Sequence, residues 1–164
     1  MKKTLLLTIA LLISTTIFSQ SRSVLLRETF DSMSAPDGWL TSDNSNENWS
    51  ISKTNKAGGE ANELKFSPQP KANGASRIIT KAVNLSGLSS VTISFRHFFD
   101  KKSIAGKIGV ATSSNNGQNW SNAWSETYSE GGQYTVTKAI NTIDMGKDNV
   151  IFCIYFQGNS TLIN

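Results

Sequence analysis

One cysteine and one histidine are all that 164 residues offer of the side chains most used in nucleophilic, redox and zinc chemistry. A lone Cys153 excludes a disulfide framework within the chain, so the fold must be held by its core. Cys153 sits inside Val150-Ile151-Phe152-Cys153-Ile154-Tyr155-Phe156, an apolar run that reads as a buried strand. There the thiol is a small core residue rather than a reactive one. Zinc takes three or four His, Cys or carboxylate ligands, and one His with one Cys does not make a usual set. His97 would have to serve any Ser-His-Asp arrangement, yet it lies between aromatics in Phe95-Arg96-His97-Phe98-Phe99 and no Gly-x-Ser-x-Gly elbow occurs. A packed or hydrogen-bonded structural histidine is the expectation. EF-hand spacing, internal repeats, long low-complexity linkers and a sustained helical period are missing as well. Positive charge is not gathered: without Lys2 and Lys3, 14 of the 16 cations face 12 acids, about +2. The densest cationic piece is Lys101-Lys102, which excludes a nucleic-acid footprint and electrostatic attachment to acidic membranes.

What is present begins with an export signal. Lys2 and Lys3 precede the apolar run Leu5 to Ile13, and Ser19-Gln20 closes the segment with a small residue before a polar one. The run is too short, at ~1.5 Å per residue, to cross ~30 Å of hydrocarbon. Residues 1–19 therefore read as a signal peptide, and 20–164 as one secreted domain without membrane insertion. Strand signals follow: Val24 to Asp31, Trp49 to Ser52, Leu64 to Phe66, Ile78 to Leu85, Val91 to Phe98, Lys107 to Thr112, Trp124 to Tyr128, Tyr134 to Thr137 and Val150 to Phe156. Asn116-Gly117 supplies the positive φ of a tight hairpin, and Gly131-Gly132 marks a further turn. About nine short strands with frequent turns predict an all-β, antiparallel sandwich or barrel. Asn159-Ser160-Thr161-Leu162-Ile163-Asn164 follows a buried strand, where a closing strand would be expected; a truncation with further domains beyond is predicted.

The order of the blocks resembles the choice-of-anchor J or cleaved-adhesin domain, a jelly-roll module related to MAM domains and found in gingipain-type adhesin regions. The residues carrying the resemblance are Glu28-Thr29-Phe30-Asp31, Pro36-Asp37-Gly38-Trp39, Asn48-Trp49-Ser50-Ile51, Ala57-Gly58-Gly59 with Glu63-Leu64-Lys65-Phe66-Ser67, Ser76-Arg77-Ile78-Ile79, Val83 to Gly87, Ile93 to His97 and Gly109 to Gly117. Relatives carry a proline where Asn62 stands, and an Ile-Asp-Asp signature shortly after the place of Gly158-Asn159-Ser160. The resemblance implies an antiparallel β-sandwich of jelly-roll type.

Calcium is the cofactor expectation, because it takes six to eight oxygens and suits jelly-roll loops. By position in the family blocks the metal candidates are Glu28 and Glu63, with Asp100 third; the alternative is that both glutamates pair with cations or face water. Ser113-x-Asn115-x-Gly117-x-x-Trp120 resembles an Asp-box hairpin, in which the Asn side chain bonds the turn and Trp120 folds over it. Trp49 reads as core, whereas Trp39 and Trp124 lie beside loops and are the ligand-binding candidates. A paired-carboxylate glycosidase needs two acids ~5–9 Å apart, and most acids here fall in polar loops. The expected role is non-catalytic, adhesion to a glycan or an extracellular protein at a cell surface. The alternatives are an accessory domain flanking a secreted protease or other enzyme, and a glycan hydrolase.

Overall fold

The computed structural model describes residues 23–41, 47–68, 74–100 and 106–158; the export segment lies outside them. Among the described residues nine strands are formed: β1 (Leu40–Thr41), β2 (Trp49–Ser52), β3 (Glu63–Phe66), β4 (Ala75–Ile79), β5 (Val91–Phe99), β6 (Gly106–Ser113), β7 (Ser121–Thr127), β8 (Gly132–Ile140) and β9 (Ile151–Gly158). They build a five-stranded sheet in the order β1-β4-β9-β6-β7 and two ribbons, β2-β3 and β5-β8, with every ladder antiparallel.

Period-2 alternation decides what each face of the large sheet meets. Register places Ser76 beside Phe156 and Ile108, and Ile78 beside Ile154, Val110 and Trp124 on one face. Both ribbons cover that face. Phe66 of β3 stacks on Phe156 at 4.6 Å, the Trp49 indole N–H of β2 donates to Ser76 Oγ at 2.9 Å, and Phe95 of β5 meets Trp124 edge-on at 5.5 Å. The result is an antiparallel β-sandwich of jelly-roll type. Trp49 is half-buried in the core, as expected. A second apolar cluster, Val83, Leu85 and Val150, closes one end of the sandwich with Leu26, Val91, Met145 and Phe152 around it.

Two expected strands differ. Val24 to Asp31 forms none: the Glu28 carboxylate accepts the N–H groups of Thr29 at 3.0 Å and Phe30 at 2.7 Å, and Phe30 has a φ of 58°. A ladder needs those donors, and local side-chain bonding competes with it. The run Ile78 to Leu85 stops at Ile79. The Thr80 hydroxyl takes the Phe152 N–H at 3.1 Å, and pairing resumes only as an isolated Val83–Val150 bridge.

The β6–β7 hairpin forms as its sequence predicts. Asn116 and Gly117 take φ of 56° and 80°, Ser113 Oγ accepts the Gly117 N–H at 3.0 Å, and Asn115 Oδ1 accepts the Asn119 N–H at 3.0 Å. A methyl on Gly117 would stand 3.2 Å from Trp120, whose ring lies over the turn. In contrast, the turn at Gly131-Gly132 does not make a hairpin of β7 and β8. It carries the chain from the large sheet to the ribbon, where β8 pairs with β5 from Val91–Ile140 to Phe99–Gly132.

Candidate functional site

Because β7 ends one sheet and β8 enters the other, the two strands bound an open seam rather than a ladder. A groove of about 390 Å³ runs along it, lined by Trp124, Glu126, Tyr128, Tyr134, Thr135 and Lys138 among others. Its aromatic floor is continuous with the core. Tyr128 and Tyr134 lie 3.9 Å apart, centroid to centroid, and His97 stacks on Tyr134 at 5.5 Å with an interplanar angle of 23°. Trp124 approaches His97 edge-on at 6.3 Å. The Tyr134 hydroxyl donates to the Glu130 carbonyl at 2.7 Å, which fixes the ring's tilt. Burial pushes the Tyr128 hydroxyl above its usual range, and the nearby Glu126 and Tyr134 push the same way. Tyr128 is therefore a neutral donor at physiological pH.

His97 lies beneath this floor, 9 % exposed, with no hydrogen-bond partner on either ring nitrogen. It is packed, not hydrogen-bonded. Burial holds it below its ordinary 6.5, so the imidazole is neutral. A general base needs a proton within reach and a group to orient it, and His97 has neither. Cys153 is fully buried and burial pushes its thiol up to about 12, despite the Arg77 charge beside it. It is inert, as expected.

The two tryptophan candidates are not brought together. Trp39 precedes β1, where it is half-buried and meets Phe30 edge-on at 5.7 Å. β1 and β7 are opposite edges of the five-stranded sheet, about 19 Å apart at ~4.8 Å per strand. Trp124 lines the groove, whereas Trp39 closes the Phe30 loop.

The three carboxylates chosen for calcium do not gather either. Among the described residues no three His, Cys, Asp or Glu groups stand close enough to hold a metal. Glu28 turns to its own backbone, as above. Glu63 accepts the Thr54 hydroxyl and the N–H groups of Lys56 and Ala57, at 3.2 and 2.9 Å, which ties the β2–β3 loop to its own strand. Burial raises the Glu63 carboxyl, but these three bonds and the Lys56 charge outweigh it and hold it below 4.5. Asp100 follows β5. A cation would have to take Glu63 from three protein donors, so these residues as placed do not fit a calcium ion.

One acid went unnoticed in the sequence. Asp144, 4 % exposed, accepts Thr112 Oγ1 on one oxygen at 2.6 Å and Ser114 Oγ on the other at 2.7 Å, while Thr142 bonds Thr112 at 2.7 Å. It pins the loop before β9 to the end of β6. Its partners lie 30 and 32 positions away, so no local signal announces it.

No family model matches the chain, and no curated protein does. Among solved structures it is similar to the K2 cleaved adhesin domain of Lys-gingipain, at 16 % identity and a TM-score of 0.51, over 80 % of this chain and 93 % of that one. It is also similar to CBM28, a carbohydrate-binding module specific for non-crystalline cellulose, at 16 % identity and a TM-score of 0.43, over 75 % and 78 % of the two chains. The first likeness establishes the architecture alone, and the second is too weak to add to it. Among the described residues no helix is long and apolar enough to cross a membrane.

Proposed function

We propose that the chain is an exported, non-catalytic binding module whose β7–β8 groove takes a sugar ring of a glycan. The observation that carries this reading is the aromatic floor of Trp124, Tyr128 and Tyr134 beneath an open rim that holds Glu126, Thr135 and Lys138. The C–H face of a pyranose stacks on such rings, and rim carboxylate and hydroxyl groups accept and donate to its equatorial hydroxyls. A fold shared with an adhesin domain is in keeping with a binding role. The neutral, unpartnered His97 and the inert Cys153 support a site that holds rather than cuts.

Calcium bracing would require Glu63 to exchange its three donors for the ion. The hydrolase reading has one observation in its favour, since Glu126 and Glu130 line the same groove.

Glycan-array binding followed by titration tests the central reading. Trp124→Ala and Tyr134→Ala are expected to abolish binding that Trp39→Ala leaves intact. Absence of binding to any glycan or matrix protein would favour the accessory-domain alternative, and release of reducing ends from a labelled glycan would establish hydrolysis.

A further inference from the structure

The two outward faces of the sandwich differ. On the five-stranded sheet one cross-strand row reads Arg77, Tyr155, Gly109 and Ser125, and it is sealed. The Tyr155 ring lies flat across Gly109, where a methyl would stand 2.4 Å from its Cζ, and its hydroxyl donates to Asn122 Oδ1 at 2.7 Å. Arg77 closes over the Trp120 ring at 5.6 Å. The outward face of the β5–β8 ribbon is open instead. Its rows read Thr92–Ala139, Ser94–Thr137, Arg96–Thr135 and Phe98–Gln133, and every one of these residues is exposed.

The β2–β3 loop folds over one end of this ribbon and sets hydrogen-bond donors side by side. Gln133 Nε2 donates to the Lys56 carbonyl at 2.7 Å, and the Lys56 ammonium stands over the Phe98 ring, 5.5 Å from its centroid. The Arg96 guanidinium lies against Gly58 and Gly59. A methyl on Gly59 would stand 2.9 Å from Nη2, and one on Gly58 would stand 3.7 Å from Nη1 and 3.8 Å from Gln133 Nε2. Guanidinium and amide are therefore neighbours. Glycine at 59 permits both this approach and a φ of 117°. Glu63 holds the loop in shape, its oxygens taking the Thr54 hydroxyl and the Lys56 and Ala57 N–H groups.

What the cluster lacks is an acceptor. Among the described residues Arg96 has no hydrogen-bond or ion-pair partner, and the Lys56 ammonium is seated only on the Phe98 ring. Glu63 feels the Lys56 charge, yet its oxygens are spent on the loop. None of the strand positions on this face carries an acid. Beyond Arg96 the face continues without charge, through the hydroxyls of Thr92, Ser94 and Thr137, with Ser94 and Thr137 bonded at 3.1 Å. From Arg96 to Thr92 this strip is about 13 Å long at ~3.3 Å per residue. A dense polyanion needs cations along its whole track, and here they stand at one end.

We infer that this face binds an acidic polysaccharide whose carboxylates are spaced by neutral sugars, with one carboxylate held by Arg96, Lys56 and Gln133 and the adjoining sugar hydroxyls bonded by Ser94 and Thr137. A guanidinium with free N–H groups takes a carboxylate through parallel charge-assisted bonds. The site stands on residues other than the aromatic floor of the groove and goes beyond that reading.

Affinity electrophoresis through hyaluronan, in which each disaccharide carries one carboxylate, is the test, with dextran and poly-glutamate gels as controls. Wild type is retarded by hyaluronan alone, and the retardation falls steeply as salt rises, because exposed charge pairs are screened. Arg96→Gln weakens it about tenfold, the equivalent of one charge-assisted bond. Lys56→Gln weakens it several-fold. Both side chains are exposed, so both variants keep the wild-type urea midpoint. Trp124→Ala retains wild-type retardation, so failure of the groove reading leaves this result standing. No retardation by hyaluronan, equal retardation by poly-glutamate, loss of retardation in Trp124→Ala, or no change in Arg96→Gln and Lys56→Gln would overturn the inference.

Discussion

Adding one methyl group at Gly109 should cost more than most surface substitutions, and the cost should vanish when Tyr155 is removed. A Cβ at position 109 would stand 2.4 to 2.5 Å from Cζ, Cε1 and the hydroxyl oxygen of Tyr155. Carbon atoms in contact sit ~3.5–4.0 Å apart, so the ring must lift by about 1 Å. Overpacking of this kind costs roughly 1–3 kcal/mol. The lift also breaks the 2.7 Å bond to Asn122, for about another 1 kcal/mol. Against this, Gly109 does not adopt a positive φ, so alanine recovers roughly 0.5–1 kcal/mol of backbone entropy in a strand. The net expectation for Gly109→Ala is a loss of about 1–3.5 kcal/mol. In a Tyr155→Ala background the clash is gone and only the backbone term is left, so the same change is neutral or stabilising by up to ~1 kcal/mol. Urea unfolding followed by tryptophan fluorescence gives all four corners of the cycle. A loss below about 0.5 kcal/mol in wild type, or an equal loss in both backgrounds, would refute the flat-lying ring, since such a surface change is within ordinary scatter.

Three further outcomes follow from the described contacts. His97 is held below 6.5 while the unfolded chain takes up its proton near that value, so its contribution is complete above pH 6.5 and is lost as pH falls below it; the urea midpoint should drop on acidification, and His97→Phe should flatten that dependence between pH 7 and 5. Asp144→Ala leaves the Thr112 and Ser114 hydroxyls without their acceptor and should cost about 2–4 kcal/mol, with Asp144→Asn intermediate; a change under 0.5 kcal/mol in the same urea assay would contradict the pinning role. Calcium or chelator should leave the Tm unchanged, because Glu63 is already spent on Thr54, Lys56 and Ala57; a calcium-dependent rise that Glu63→Gln removes would show that the loop rearranges around an ion.

Local chemistry made part of this fold readable. The β6–β7 hairpin could be read because Ser113, Asn115 and Gly117 bond within their own turn, and the fate of Cys153 followed from the apolar run around it. Val24 to Asp31 looked like a strand for the same local reasons and failed through a local rival, the Glu28 carboxylate. The groove was hidden by a choice of partner. Trp124, Tyr128 and Tyr134 are near neighbours in sequence, but only the departure of β8 to pair with β5 turns the intervening corner into a seam. Trp124 was found as an aromatic beside a loop; nothing in the sequence showed that Trp39 would sit at the far edge of the sheet. Asp144 and the Arg77–Tyr155–Gly109 row depend on register between distant strands, and no short-range pattern carries that.

The binding claim is tested most directly by titrating wild type and Trp124→Ala with a panel of oligosaccharides while following amide shifts by NMR. The account predicts saturable shifts in wild type that map to β7 and β8 around Trp124, Tyr128 and Tyr134, and their loss in a folded Trp124→Ala variant. Shifts absent for every sugar, or unchanged in Trp124→Ala, would contradict it.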